Sequence, residues 1–348
     1  MKARFVIIGS GWRAGYYIRI AKALPEHFEL CAVFCRTQTK AQLIAQKFGV
    51  YATNSIQECV DLNPDFVVVA VSKSLNATVA LEWIEKGFFV LAETPAALDF
   101  ESLKMLRLLP SEKSSKLIIA EQYRLYPQNR AILSLLKTGL LGTLSCVNIS
   151  LAHDYHAASL IRAFLDIDEN ESFEVTSKNY EFPVTKTLTR YENFTDGSIE
   201  TKQRTVATFE FKNGKVAFYD FDSEQYRSPI RKNTLKIQGT RGEIIDDTVY
   251  YLNKKNEPCK SKIYVQTKNI VRDDENPNFK NIEEVEKITF EGKILYEAPF
   301  GLCDLSQDET ALALLMKKIF DYKNGTGKIP YALKDALQDS FMAIKMRE

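Results

Sequence analysis

The 348-residue sequence reads as an α/β protein, with an N-terminal doubly wound parallel sheet of Rossmann type followed by an α+β domain built on a large open, mainly antiparallel sheet. Three observations carry that reading. The first third alternates apolar runs with amphipathic stretches; the first junction between them holds a glycine-rich turn; and the region after residue 143 alternates in polarity around hairpin signals. At about twice the usual domain length, the chain is expected to form two cores.

The β-rich runs are "RFVII" (Arg4 to Ile8), "FELCAVFC" (Phe28 to Cys35), "DFVVVAV" (Asp65 to Val71), "FFVLAE" (Phe88 to Glu93) and "KLIIAE" (Lys116 to Glu121). They are apolar almost throughout, as strands covered on both faces are. Between them, "KAQLIAQKFG" and "NATVALEWIEKG" predict helices stopped at Gly49 and Gly87, and "FESLKMLRLLP" predicts one ending at Pro110. Such sheets bind ligands beyond the carboxyl ends of their strands.

The first of those ends carries "GSGWRA", which fits Gly-x-Gly-x-x-Gly/Ala and opens a helix running toward Pro25. Gly9 permits the tight turn, Gly11 lets backbone amides approach a pyrophosphate, and Ala14 allows close packing of helix on strand. A dinucleotide is the expected ligand, with a methyltransferase as the competing use of such a turn. An NAD site places an acidic residue at the end of the second strand; here stand Cys35, Arg36 and Thr37. A guanidinium and hydroxyl suit a 2′-phosphate, so NADP is favoured over NAD. Trp12 and Arg13 in the turn, Ser72 after the third run, and Glu93 and Pro95 after the fourth complete the expected cofactor set.

Composition excludes other classes. Forty-six Lys plus Arg against 45 Asp plus Glu leave a net charge of +1, which supplies no field for nucleic acid or an anionic membrane. No apolar run approaches membrane-spanning length, and the opening run breaks at Gly9, so the chain is expected in the cytoplasm. The six cysteines form no Cys-x-x-Cys and are expected to be buried, reduced thiols.

Two of the three histidines, His153 and His156, lie in "AHDYHAASLIRAFLDI". Apolar residues at helical spacing follow, so Asp154 is expected to cap the helix and His156 to sit in its first turn. There the helix dipole disfavours imidazolium, leaving a neutral imidazole ready to accept a proton. A metal on His153, Asp154 and His156 lacks a clear further ligand and is not expected. Beyond residue 143, "TLSCVNISLA", "RTVATFEFKNGKVAFYDF" and "KITFEGKILYEA" predict strands, with a hairpin at Asn213-Gly214. Ser306 and Glu309 form a capping box that opens the closing helices.

Together, "GSGWRA", "AETP", "AEQYRLYP" and "HDYHAASLIRAFL" resemble the glucose–fructose oxidoreductase, inositol dehydrogenase and MocA family (Gfo/Idh/MocA) over nearly the whole chain. The resemblance implies an NAD(P)-dependent oxidoreductase acting on a sugar, polyol or related molecule, with domains at 1–122 and 123–348, the latter including closing helices over 306–348 and a sheet used for homo-oligomerisation. Its Glu-Lys-Pro motif is matched by Glu93 and Pro95, with Thr94 at the lysine position. Threonine carries no titratable cation, and Lys73 is the candidate substitute. His156, six residues before Arg162, falls at the acid/base position; the aspartate expected four residues ahead of it is Ala152, which leaves Asp154 or His153 as its replacement. Tyr123, Arg124 and Tyr155 are the candidate substrate contacts. With two motif residues gone, the rival expectation is a non-catalytic nucleotide-binding sensor or partner subunit.

Overall fold

β-Branched and aromatic residues in short runs, punctuated by glycine and by capping side chains, produce regular alternation in the first part of the chain. The structure, a computed structural model, describes residues 1–189, 191–272 and 277–348. In order it forms β1 (Ala3–Ile8), α1 (Ala14–Ala23), β2 (Phe28–Phe34), α2 (Gln38–Phe48), β3 (Ala52–Thr53), α3 (Ile56–Asp61), β4 (Phe66–Val69), α4 (Lys73–Glu85), β5 (Phe89–Ala92), α5 (Phe100–Arg107), α6 (Ser111–Ser114) and β6 (Leu117–Ile119). All the pairings are parallel and the order is β3-β2-β1-β4-β5-β6, the doubly wound arrangement. The order reverses between β1 and β4, which sets a crevice beyond Ile8 and Val69.

Local chemistry sets the helix ends. Thr37 caps α2 by accepting from the Lys40 N–H, and Gly49 ends it at φ 60°. Asp99 and Ser102 form a capping box on α5. The two-residue β3 escapes the sequence reading because it is too short for any periodicity; the Cys35 N–H donates to the Thr53 carbonyl at 2.8 Å.

A 3-10 turn at Tyr123–Leu125 precedes α7 (Pro127–Leu136), β7 (Leu144–Ser150), α8 (Asp154–Leu165), β8 (Phe173–Thr185), β9 (Ile199–Phe211) and β10 (Val216–Asp222). A second 3-10 turn, Ser223–Tyr226, leads to β11 (Thr234–Gly239), β12 (Gly242–Ile245), β13 (Thr248–Leu252), β14 (Pro258–Val271), α9 (Pro277–Lys280), β15 (Asn281–Phe290) and β16 (Lys293–Glu297). Among the described residues these strands make a sheet in the order β16-β15-β14-β13-β12-β11-β7-β10-β9-β8, antiparallel except between β7 and β10. The expected hairpin joins β9 to β10, with Gly214 at φ 83°. Helix α7 packs on β15 and β16, and α8 packs on β7. The chain closes with α10 (Gln307–Lys323) and α11 (Leu333–Arg347).

The chain divides into unit 1, Met1–Leu125 with Cys303–Phe341, and unit 2, Tyr126–Leu302 with Met342–Glu348. This corrects the expected placement of the closing helices: α10 and most of α11 belong with the parallel sheet, because α10 packs on α1, β1 and β5. The cysteines also differ from expectation. All six are free thiols: Cys35 and Cys59 are buried, Cys31, Cys146 and Cys259 are half-buried on the partly open strands β2, β7 and β14, and Cys303 is half-buried before α10. Among the described residues no helix is long and apolar enough to cross a membrane.

Candidate functional site

At the end of β1 the chain turns at Gly9, whose φ is 120° and whose N–H donates to the Phe34 carbonyl at 3.1 Å. A Cβ there would lie 2.2 Å from the Ala70 carbonyl oxygen, so only glycine fits against the end of β4. A Cβ on Gly11 would meet nothing within 4 Å. That open face, next to the start of α1 and at the switch point of the sheet, has the room and the helix terminus that a pyrophosphate uses. Ala14 is buried against the sheet.

Trp12 and Arg13, expected to face a cofactor, are turned partly into the protein. The Trp12 ring meets Tyr16 edge-on at 4.7 Å, and the Arg13 and Arg19 guanidinium groups lie over the Tyr16 ring at 4.7 and 4.9 Å. Arg13 Nε donates to Glu93 Oε1 at 3.0 Å, and its terminal nitrogens donate to both Asp308 oxygens, at 2.6 and 3.4 Å. The Tyr17 hydroxyl donates to the same Glu93 oxygen. Burial opposes the Arg13 charge, yet Asp308 and Glu93 hold its pKa well above the usual guanidinium value. Burial and the Glu93 charge push the Tyr17 phenol well up. Glu93 is therefore braced from within unit 1, its backbone included: its N–H donates to the Val69 carbonyl at 3.0 Å, and the buried Asn76 amide donates to its carbonyl.

Thr94 follows, half-buried, and Pro95 is buried; the peptide bond between them is cis. Lys73 is the first residue of α4 and Ser72 precedes it, both exposed on the loop after β4. Arg36 and Thr37 are exposed after β2, where Thr37 has a second duty as the α2 cap.

Beyond β6, burial pushes the Glu121 carboxyl up to about 8, against the opposing pull of Arg124, the Tyr123 N–H and Arg13. Glu121 Oε1 accepts the Tyr123 N–H at 3.0 Å. Arg124 lies 3.7 Å from Asp339 and 5.1 Å over the Tyr331 ring, and the Tyr331 hydroxyl donates to Asp339. Part of the Arg124 guanidinium, expected to contact substrate, thus anchors the segment before α7 to α11.

In unit 2, His156 occupies the first turn of α8 as expected and is 4% exposed. The cap differs from expectation: His153 is the capping residue, without a side-chain bond, and Asp154 is the first helical residue. Asp154 Oδ1 instead accepts from the Tyr155 N–H at 2.7 Å, and its other oxygen takes a hydrogen bond from Arg347. Those two bonds draw it off the capping position. The His153, Tyr155 and His156 rings form one cluster, with centroids 4.4 to 4.9 Å apart. The Tyr226 hydroxyl accepts the His153 N–H at 2.8 Å and is hydrogen-bonded to His153 Nδ1. Among the described residues no group of three or more His, Cys, Asp or Glu side chains is arranged to hold a metal ion.

Sequence reasoning missed Tyr17, Asp308, Glu121, Asp339 and Tyr226. Asp308 carried only the signal of a helix first turn, and its partner Arg13 lies 295 residues away. Tyr226 stood in the polar loop "EQYRSPIRKN", where nothing local indicates a histidine partner.

Residues 3–121 match the sequence profile of the GFO_IDH_MocA oxidoreductase family, NAD-binding Rossmann fold. A dehydrogenase of Aspergillus oryzae, aclE, is 28% identical over 137 residues, which make up 38% of this chain; the match spans 37% of the relative's length. Two solved structures share the fold across both units. An oxidoreductase from Agrobacterium radiobacter, in complex with NAD+, L-tartaric acid and magnesium, superposes with a TM-score of 0.64 at 13% identity, covering 99% of this chain and 94% of that one. Apo scyllo-inositol dehydrogenase from Lactobacillus casei gives 0.63 at 12% identity, covering 99% and 95%.

Proposed function

We propose, from the match of residues 3–121 to the NAD-binding Rossmann fold of the Gfo/Idh/MocA oxidoreductase family, that the chain transfers hydride between a nicotinamide and a hydroxyl-bearing carbon of a sugar, polyol or related small molecule. The observation that carries this reading is the glycine turn at the switch point: Gly9 pressed against Ala70, Gly11 open. The residues fit a dinucleotide. Backbone amides of Gly11 to Ala14 hold the pyrophosphate, and Ser72, Glu93 and Pro95 supply the strand-end wall. Arg36 and Thr37 favour NADP over NAD by offering a guanidinium and a hydroxyl to a 2′-phosphate.

In unit 2, His156 takes up the substrate's hydroxyl proton during oxidation and returns it during reduction. A histidine suits that task because its neutral and charged forms are close in energy near pH 7. Thr94 contributes no charge, so Lys73 is the cation proposed for the strand-end wall. Tyr123, Arg124 and Tyr155 contact substrate. The chain is cytoplasmic in this proposal and self-associates through the long sheet of unit 2, on whose strands Ile199, Tyr264 and Val271 are each more than 60% exposed.

A second reading follows from Arg13 and Thr94. The Arg13 guanidinium beside Glu93 is already paired internally with Asp308, and the motif position holds no cation, as in a nucleotide sensor that has no chemistry to perform.

Calorimetric titration with NADP(H) and NAD(H), followed by a nicotinamide-absorbance screen of sugars and polyols, separates the readings. Binding with turnover supports the enzyme, binding without turnover supports the sensor, and no binding defeats both. Turnover lost in His156→Ala with nucleotide affinity retained supports the acid/base role. Unchanged turnover removes His156 from the reaction.

A further inference from the structure

The family resemblance pairs the acid/base histidine with an aspartate four residues upstream, but that position is Ala152, whose methyl is fully buried. Among the neighbours of His156 is His153, whose ring meets it edge to face, 4.9 Å between centroids at 75°. His153 is itself clamped. The Tyr226 hydroxyl, at the end of the 3-10 turn after β10, accepts the His153 backbone N–H at 2.8 Å and bonds the ring at Nδ1. A phenol hydroxyl that accepts an N–H can also give its own proton. Donating that proton makes Nδ1 the acceptor and leaves the His153 ring proton on Nε2.

We propose that Tyr226 is a positioning residue for the proton-handling site of unit 2: by holding His153 at backbone and ring together, it fixes the tautomer and rotation of the ring that walls His156. The proposal rests on the reading of His156 as acid/base. Its physical logic is electrostatic as well as steric. A His153 that accepts at Nδ1 is neutral, and a neutral neighbour lets His156 take a proton that a charged imidazolium in ring contact would repel.

The other groups around His153 are consistent with that assignment. Asp154 Oδ1 lies 3.9 Å from His153 Nε2, on the side where the ring carries its proton, while Arg347 occupies the other Asp154 oxygen. The Tyr219 hydroxyl, from β10, accepts the Asp154 N–H at 3.2 Å. Tyr155 packs edge-on against the ring. Asp222, which caps the 3-10 turn, and Glu224 within it are paired with Arg204 and Lys202. Tyr226 is further seated on Phe221, ring to ring at 5.0 Å, so the hydroxyl is delivered by a packed side chain.

Tyr226→Phe retains that ring packing and removes only the hydroxyl. Nitrogen-15 imidazole spectra of the whole protein test the contact without any ligand: His153 is expected as the Nε2–H tautomer in the wild type and as a mixture in the variant. Rates with NADP+ or NAD+ and the fastest of D-glucose, D-fructose, myo-inositol and D-sorbitol test its consequence. We expect kcat to fall about tenfold with KM changed less than about twofold, and the acid limb of kcat/KM to move up by about half a pH unit. An unchanged His153 tautomer in Tyr226→Phe, or a pH profile merely scaled down, overturns the positioning role alone. A wild type that binds no nicotinamide nucleotide overturns the hydride reading and this role with it.

Discussion

Arg13 Nε lies 3.0 Å from Glu93 Oε1, an ion pair that ties the glycine turn after β1 to the end of β5 across 80 residues of sequence. Both side chains are largely buried, and Asp308 completes the neutralisation of the guanidinium. Arg13→Met leaves two carboxylates without their counter-ion, and is expected to cost about 3 to 5 kcal/mol of unfolding free energy. Glu93→Gln keeps an acceptor for Tyr17 and Arg13 and is expected to cost about 1 to 2 kcal/mol. Urea denaturation of both variants checks the order, which fails if Arg13→Met is the milder of the two.

Glu121 makes stability pH-dependent. Its folded pKa, about 8, is raised from 4.5, so the folded chain binds a proton that the unfolded chain releases between those values. The stabilisation is therefore complete below pH 4.5 and is lost as the pH rises through about 8. Glu121→Gln keeps an acceptor for the Tyr123 N–H and removes the titration. At pH 9 the variant is expected to exceed the wild type by on the order of 1 kcal/mol, with a flatter urea midpoint between pH 6 and 9. Parallel profiles for the two proteins would contradict this.

The two glycines of the turn separate folding from binding. Gly9→Ala places a methyl 2.2 Å from a backbone oxygen at φ 120°, and is expected to destabilise by about 3 kcal/mol or more. Gly11→Ala enters open space, so its melting temperature is expected to stay within a few degrees of wild type while nucleotide affinity drops about tenfold, or 1.4 kcal/mol. Thermal melts and calorimetry on the two variants read these effects separately.

Arg36→Ala tests the cofactor preference. The expected result is a loss of about tenfold or more in NADP(H) affinity with little change for NAD(H), since a charge-assisted contact to a 2′-phosphate contributes about 1.5 to 3 kcal/mol. Equal losses for the two nucleotides would assign Arg36 to something other than the phosphate.

The parallel sheet was legible because burial on both faces writes itself into sequence as unbroken apolar runs, and because Gly49 and the Ser306–Glu309 box mark helix ends through local chemistry. The hairpin at Asn213-Gly214 was legible for the same reason. What stayed hidden is long-range pairing. Nothing near Arg13 announces Asp308, nothing near His153 announces Tyr226, and helical periodicity in α10 reveals an apolar face without naming the sheet it covers. Asp154 shows the limit even of local rules: a good capping residue was displaced by one position because Arg347 and the Tyr155 N–H offered its carboxylate other partners.

The split composition of unit 1 has a consequence for biosynthesis. Residues 126 to 302 lie between its two sequence segments, so a ribosome adding about 5 to 20 residues per second delivers α10 roughly ten to forty seconds after β6 has emerged. During that interval the surface of α1 meant for α10 is bare, and Arg13 and Arg19 wait without Asp308 and Glu309, their carboxylate partners. A premature stop anywhere before Cys303 therefore yields a chain that lacks α10 and whose first unit cannot close.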